Sequence, residues 1–239
     1  MNYKAAIFDM DGTVLDTSGD LTAAVNYALG ALGYRNDFTA EEGKFFFGSG
    51  VKVALIRAFA AASDIASGYD LLKVGTDNDD ITPLIDEELV IKATEIYRPY
   101  YAAHNEEKTR EYAGISELIK ALRSAGIKTA VVSNKPDDSV KALSQRLFSG
   151  LFDLCLGEQP GIRRKPAPDM TLKTLSYLGV KNADAVYIGD SEIDLQTAKN
   201  SELDCITVTW GFRTREFLEK HGAAVFADTP EEILGIFGI

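Results

Sequence analysis

Cysteine, histidine and positive charge are all scarce in this chain, and each shortage removes a class of function. Cys155 and Cys205 are the two cysteines among 239 residues. They lie in the apolar runs "LFDLCLG" and "LDCITVTW", without Cys-x-x-Cys spacing, so buried reduced thiols are expected. The two histidines, His104 and His221, stand in no motif. Chemistry resting on a histidine base is therefore not expected, and surface or helix-end positions are. Twenty-five Lys and Arg residues face 36 Asp and Glu, a net charge of -11. Such a balance repels nucleic acid and anionic membranes, which are bound through clustered cations. No run approaches membrane-spanning length, and "MNYKAAIFDMDG" enters a strand-like run at once, without a signal peptide's long apolar region. The expected setting is the cytoplasm.

What is present reads as an α/β protein. Hydrophobic residues make up 46% and charged residues 26%, the balance of a packed globular fold. Short apolar runs, "KAAIFD", "KTAVVS", "LFDLCLG", "AVYIGD", "CITVTW" and "AAVFAD", alternate with helical patterns. That alternation predicts a parallel sheet. Ile115, Leu118, Ile119 and Leu122 form one helical stripe closed by Gly126; Leu172, Leu175 and Leu178 form another closed by Gly179. In "TPEEILGIF", Thr229 is placed as N-cap, with Pro230 at the first helical position and Glu232 completing a capping box.

From about Thr17 to Lys108 helical patterns follow one another without strand runs. Leu21, Ala24, Val25, Ala28, Leu29 and Leu32 make one stripe; Val51, Leu55, Ala58 and Phe59 suggest a second helix, and Leu84 to Ala103 a long third, after a polar loop "GYDLLKVGTDNDDITP". The expectation is a Rossmann-like parallel-sheet core, residues 1–16 and 109–239, interrupted by an α-helical cap over 17–108.

The chemistry-bearing residues gather at predicted strand ends. Asp9 and Asp11 follow "AAIF" at a spacing of two, so both project to one side while Met10 projects to the other. Carboxyl ends of parallel strands are where open α/β sheets bind ligands, and Gly12 allows a tight turn there. Neighbouring carboxylates repel unless a cation or shared proton compensates; Mg²⁺, a hard ion preferring oxygen ligands, is the simplest candidate. Asp190 ends "AVYIGD" in the same way, followed by Ser191 as helix cap and Asp194 in the first turn. Ser133 and Asn134 in "TAVVSNKP" offer a hydroxyl and an amide to an anion, and Lys165 in "RRKPAPD" is placed by the proline behind it.

The four segments "DMDGT", "VVSNK", "RRKPAPD" and "GDSEID", in this order, resemble the motifs of the haloacid dehalogenase superfamily, and the resemblance spans essentially the whole chain. "SNKP", "KPAPD" and "WGFR" look closest to phosphoglycolate phosphatases. The resemblance implies a small phosphate ester as substrate, Asp9 as nucleophile, and Asp11 as the acid that protonates the leaving group and then the base that activates water. It implies Mg²⁺ held by Asp9, the Asp11 backbone carbonyl and Asp190, with Asp194 in support. Ser133, Asn134 and Lys165 would hold the phosphoryl oxygens. Attraction of an anionic substrate to so acidic a chain would then be local. Asp11 argues against a dehalogenase or phosphonatase. A sugar phosphomutase, a pyrophosphatase and a catalytically retired binding module remain open alternatives. Lys44, Gly48 to Gly50 and Lys52 are candidates to meet a substrate carboxylate, although ordinary helix capping explains each.

Overall fold

The computed structural model describes residues 3–63, 65, 70–76 and 78–239. The chain divides into two compact units, residues 1–16 with 110–239, and residues 17–109.

In the first unit an all-parallel sheet has the order β5-β4-β1-β6-β7-β8. Its strands are β1 (Ala5–Phe8), β4 (Lys128–Pro136), β5 (Leu154–Glu158), β6 (Ala185–Gly189), β7 (Asp204–Val208) and β8 (Phe226–Ala227). Every residue of β1 and β6 is buried, as befits strands covered by helices on both faces. Side chains alternate accordingly. Ala6, Phe8 and Met10 join the core beneath α5 (Ile115–Ser124), α6 (Asp137–Phe148) and α10 (Pro230–Phe237). Ala5 and Ile7 join the opposite core with Met170 and Leu175 of α7 (Asp169–Leu178) and Ala198 of α8 (Glu192–Asn200). Burying each large aliphatic or aromatic side chain contributes roughly 1.5–3 kcal/mol, so this double-sided core fixes the strand register. β1 lies between β4 and β6, with Phe8 opposite Val131 and Ile188; the ends of these three strands therefore converge. A short helix, α9 (Arg215–Lys220), follows β7.

Two two-residue strands, β2 (Leu15–Asp16) and β3 (Arg110–Glu111), pair antiparallel where the chain leaves and re-enters this unit. The sequence does not announce them, since two residues are too few for a period. The terminal capping box is half formed: the Thr229 hydroxyl accepts the Glu232 N–H, but the Glu232 carboxylate accepts from Asp228 N–H instead of Thr229. Cys155 and Cys205 are unpaired and half-buried; burial raises both thiols, Cys205 to about 12, which keeps them protonated. His104 ends a helix and is half-buried, and His221 caps one and is exposed.

The second unit is helical: α1 (Ser18–Ala31), α2 (Ala40–Lys44), α3 (Val51–Ala62) and α4 (Glu87–His104). The third predicted helix starts later than its pattern suggests, because Asp86 caps α4 and Thr82–Leu84 forms a separate 3₁₀ turn. The predicted polar loop contains a 3₁₀ turn at Leu71–Lys73; Gly68, Tyr69 and Asp77 of that loop lie outside the described residues. Thr109 falls in this unit, one residue beyond the expected boundary. The buried Asp20 carboxylate explains it, accepting the N–H of Lys108 and of Thr109, each at 2.9 Å, and the Thr109 hydroxyl at 2.7 Å. Lys44 pairs with Glu41 and Lys52 with Glu87, and Gly50 is the N-cap of α3. Those positions therefore have structural duties of their own.

Candidate active site

Asp9 follows β1 directly, and its N–H still bonds to the Ile188 carbonyl of β6. The chain then turns sharply: Gly12 takes φ +84°, a left-handed backbone that glycine adopts without penalty, and the Met10 carbonyl accepts from Val14 and Leu15. The turn leaves the Asp9 carboxylate buried, where its Oδ1 accepts the Met10 N–H at 2.6 Å and lies 2.7 Å from Lys165 Nζ. The other predicted carboxylate, Asp11, sits partly exposed with Oδ1 2.8 Å from Lys135 Nζ.

Lys165 is almost fully buried, with its ammonium 2.9 Å from Asp194 Oδ1 and over the Tyr187 ring. Asn134 places it: Oδ1 accepts the Lys165 N–H at 2.8 Å and Nδ2 donates to the Lys165 carbonyl at 3.0 Å. The sequence aimed this amide at an anion. The structure commits its carbonyl and one N–H to the lysine's backbone, leaving a single N–H for any other partner. Ser133, fully buried on β4, accepts the Lys135 N–H.

Asp190 leaves β6 into a cradle. Its Oδ1 accepts the Thr13 hydroxyl at 2.9 Å and its Oδ2 the Phe212 N–H at 2.7 Å. A Cβ added at Gly12 or Gly211 would collide with this carboxylate, so both glycines are there for close approach. Ser191 and Asp194 form a reciprocal capping box at the start of α8, as the sequence predicts. Asp194 thus spends Oδ2 on the Ser191 N–H and hydroxyl, and Oδ1 on Lys165.

The electrostatics of the group are unbalanced. Asp9, Asp190 and Asp194 bring oxygens within 4.8 Å of one another, and one ammonium, Lys165, touches two of them. Burial pushes the Asp9 carboxyl well above its ordinary value, reinforced by Asp194, while Lys165 opposes. Burial and then Asp194 raise Asp190 to about 7, against the donors Phe212 and Thr13. Burial disfavours the Lys165 ammonium, but the Asp194 and Asp9 charges more than offset this and hold it well above its usual value. Three carboxylates against one ammonium leave two negative charges in excess, the charge of one divalent cation. An all-oxygen donor set of this kind suits Mg²⁺, so the residues present fit the ion that the sequence suggested.

Residues 6–208 match the model of the haloacid dehalogenase-like hydrolase family. The chain belongs to that family. A crystal structure from Lactobacillus delbrueckii subsp. bulgaricus, of a protein provisionally assigned as a phosphoglycolate phosphatase, is 54% identical, covers 99% of each chain and superposes with TM-score 0.93. The phosphoglycolate phosphatase of Pseudomonas savastanoi pv. phaseolicola is 30% identical over 97% of this chain and 79% of its own. That of Vibrio parahaemolyticus is 27% identical over 100% of this chain and 97% of its own.

For this haloacid dehalogenase-like hydrolase the structure adds groups that the sequence reading passed over. Lys135 is buried against Asp11; its signal was parity, because Ser133 and Lys135 stand two apart on one strand and share a face. Thr13 and the Phe212 N–H hold Asp190, and the Trp210 indole donates to the Thr13 carbonyl at 3.0 Å. The contacts of Thr13 and Phe212 join segments 177 and 22 residues from Asp190, and no local pattern reveals such pairs. Among the described residues no helix is long and apolar enough to cross a membrane.

Proposed function

We propose that this hydrolase is a magnesium-dependent phosphatase acting on a small phosphate monoester, with 2-phosphoglycolate the leading substrate, through an aspartyl phosphate at Asp9. The observation that carries this reading is the buried Asp9 carboxylate beside Lys165, grouped with Asp190 at the end of the adjacent strand and Asp194 in the first turn of α8. The curated relatives named above support the choice of substrate.

Asp9 attacks phosphorus, forming an O–P bond as the ester P–O bond breaks. Asp11, next to it on the turn, gives its proton to the departing alkoxide and then takes one from the water that hydrolyses the aspartyl phosphate, returning Asp9 and free phosphate. Lys165 Nζ, the Ser133 hydroxyl and the remaining Asn134 N–H hold the phosphoryl oxygens, where alignment and charge stabilisation carry most of the rate. Mg²⁺, held by Asp9, the Asp11 carbonyl and Asp190, supplies neutralisation of the anionic nucleophile and substrate. Asp194 fixes the Lys165 ammonium through its own cap at α8. We assign residues 17–109 the role of the family's helical cap, which selects the substrate. A setting in the cytoplasm belongs to the same reading.

The test is phosphate release from a panel of esters, including 2-phosphoglycolate, pyrophosphate and hexose phosphates, with and without Mg²⁺. Strong Mg²⁺-dependent release from one ester, lost in Asp9→Asn, is the expected result. No release from any of them by folded, metal-loaded protein overturns the phosphatase reading, and phosphoryl transfer to a second sugar hydroxyl makes the chain a mutase.

A further inference from the structure

Behind the acidic site lies an ion pair that the mechanism above does not use. Arg213 is fully buried, and its guanidinium grips Glu192 with both ends: Nε donates to Oε2 at 2.8 Å and a terminal nitrogen donates to Oε1 at 3.1 Å. Paired, planar contact of this kind fixes orientation as well as distance. Each partner is close in the chain to Asp190 or to a group that engages it. Glu192 is two residues after Asp190, at the first position of α8. Arg213 is the residue after Phe212, whose N–H donates to Asp190 Oδ2 at 2.7 Å.

The four residues therefore close a small ring, with peptide links from Asp190 to Glu192 and from Phe212 to Arg213. The Arg213–Glu192 ion pair and the Phe212–Asp190 hydrogen bond complete it. Gly211 leaves the room this closure needs, since a Cβ there would strike the Asp190 carboxylate. The ion pair thus ties the loop after β7 to the start of α8, beside the Phe212–Asp190 hydrogen bond and the Trp210 contact to Thr13.

We propose that Arg213 and Glu192 form a clamp that holds the Phe212 N–H on the Asp190 carboxylate and so sets the affinity of the acidic site for a divalent cation. They are positioning residues that act through the Phe212 N–H, and the assignment rests on the reading that Asp190 is a metal ligand. Groups that orient metal ligands typically change affinity on the order of 10- to 100-fold when lost. Arg213→Met is accordingly expected to weaken the site by at least about tenfold.

The test is direct Mn²⁺ binding, followed by electron paramagnetic resonance, in the wild type, Asp190→Asn, Glu192→Gln, Arg213→Lys and Arg213→Met, each checked for folding by circular dichroism. Glu192→Gln keeps shape and one hydrogen bond, so it serves if the arginine variants fail to fold. The expected order of affinity is wild type, then Arg213→Lys and Glu192→Gln, then Arg213→Met, with Asp190→Asn weakest. Turnover at saturating Mg²⁺ is expected to fall far less than metal affinity, a split that general destabilisation would not produce. Wild-type Mn²⁺ affinity in the folded clamp variants, with binding lost in Asp190→Asn, overturns the clamp alone. Undiminished binding in Asp190→Asn overturns the metal-site reading on which it stands.

Discussion

Both units of this chain bury charge, but they neutralise it differently. In the helical unit, Asp20 accepts backbone N–H groups of Lys108 and Thr109, and Arg57 donates to the carbonyls of Phe46, Phe47 and Val74. There a charge ties a loop to a helix through neutral dipoles of the main chain. In the α/β unit, charges meet charges: Lys165 with Asp9 and Asp194, Lys135 with Asp11, Arg213 with Glu192. The first arrangement is built on hydrogen bonds to the main chain and holds shape. The second carries surplus negative charge, which costs stability unless something positive binds, and that surplus marks a place for chemistry.

Four substitutions or conditions probe this contrast, beginning with the largest effect. Asp9→Asn removes the proposed nucleophile, and turnover is expected to drop about 10⁴-fold or more with the fold retained; measured phosphate release near the wild-type rate would dissolve the distinction at its centre. Lys165→Met should cost on the order of 10²- to 10³-fold in kcat, since one preorganised charged contact supplies that much. Steady-state kinetics showing an unchanged kcat would make Lys165 as structural as Arg57. Asp20→Ala strands buried donors and should cost about 3 kcal/mol in denaturant unfolding, while kcat of the folded enzyme holds. A loss of kcat without loss of stability would show that the helical unit's charges also serve the reaction.

The smallest effect is a pH dependence. Because the folded chain holds the Asp190 proton up to about 7, against about 4 for an unfolded carboxylate, deprotonation is harder in the folded state. Metal-free stability should therefore decline as pH rises through that interval and stay low above it. A divalent cation needs the ionised form, so the rise in melting temperature on adding Mg²⁺ should be greater at about pH 8 than at about pH 5. Equal shifts at both would detach the raised carboxyls from the cation.

Much of this was legible because the relevant signals are local. Asp9 and Asp190 end apolar runs, and Ser191 with Asp194 has cap spacing. The strand and helix periods placed the elements between them, and even Pro99 did not mislead, since α4 runs through it. What escaped notice depends on groups distant in sequence or on side-chain direction. Asn134 was read as an anion donor, and the sequence did not show that its amide also holds the Lys165 backbone 31 residues away. Lys135 was passed over, yet strand parity carries it inward. Arg213 and Glu192 are 21 apart, and nothing near either residue announces the other.

The strand order has one further consequence, in time rather than space. Asp9 is synthesised well before its surroundings, because β1 finds its neighbours in β4 and β6, more than 100 residues later. Such distant pairings form slowly. A growing chain thus carries the proposed nucleophile long before it holds Lys165 or Asp190, and on that reading it stays chemically silent until the sheet closes. In refolding experiments, the return of catalysis should coincide with completion of the β1–β6 ladder, making activity a clock for the last long-range step.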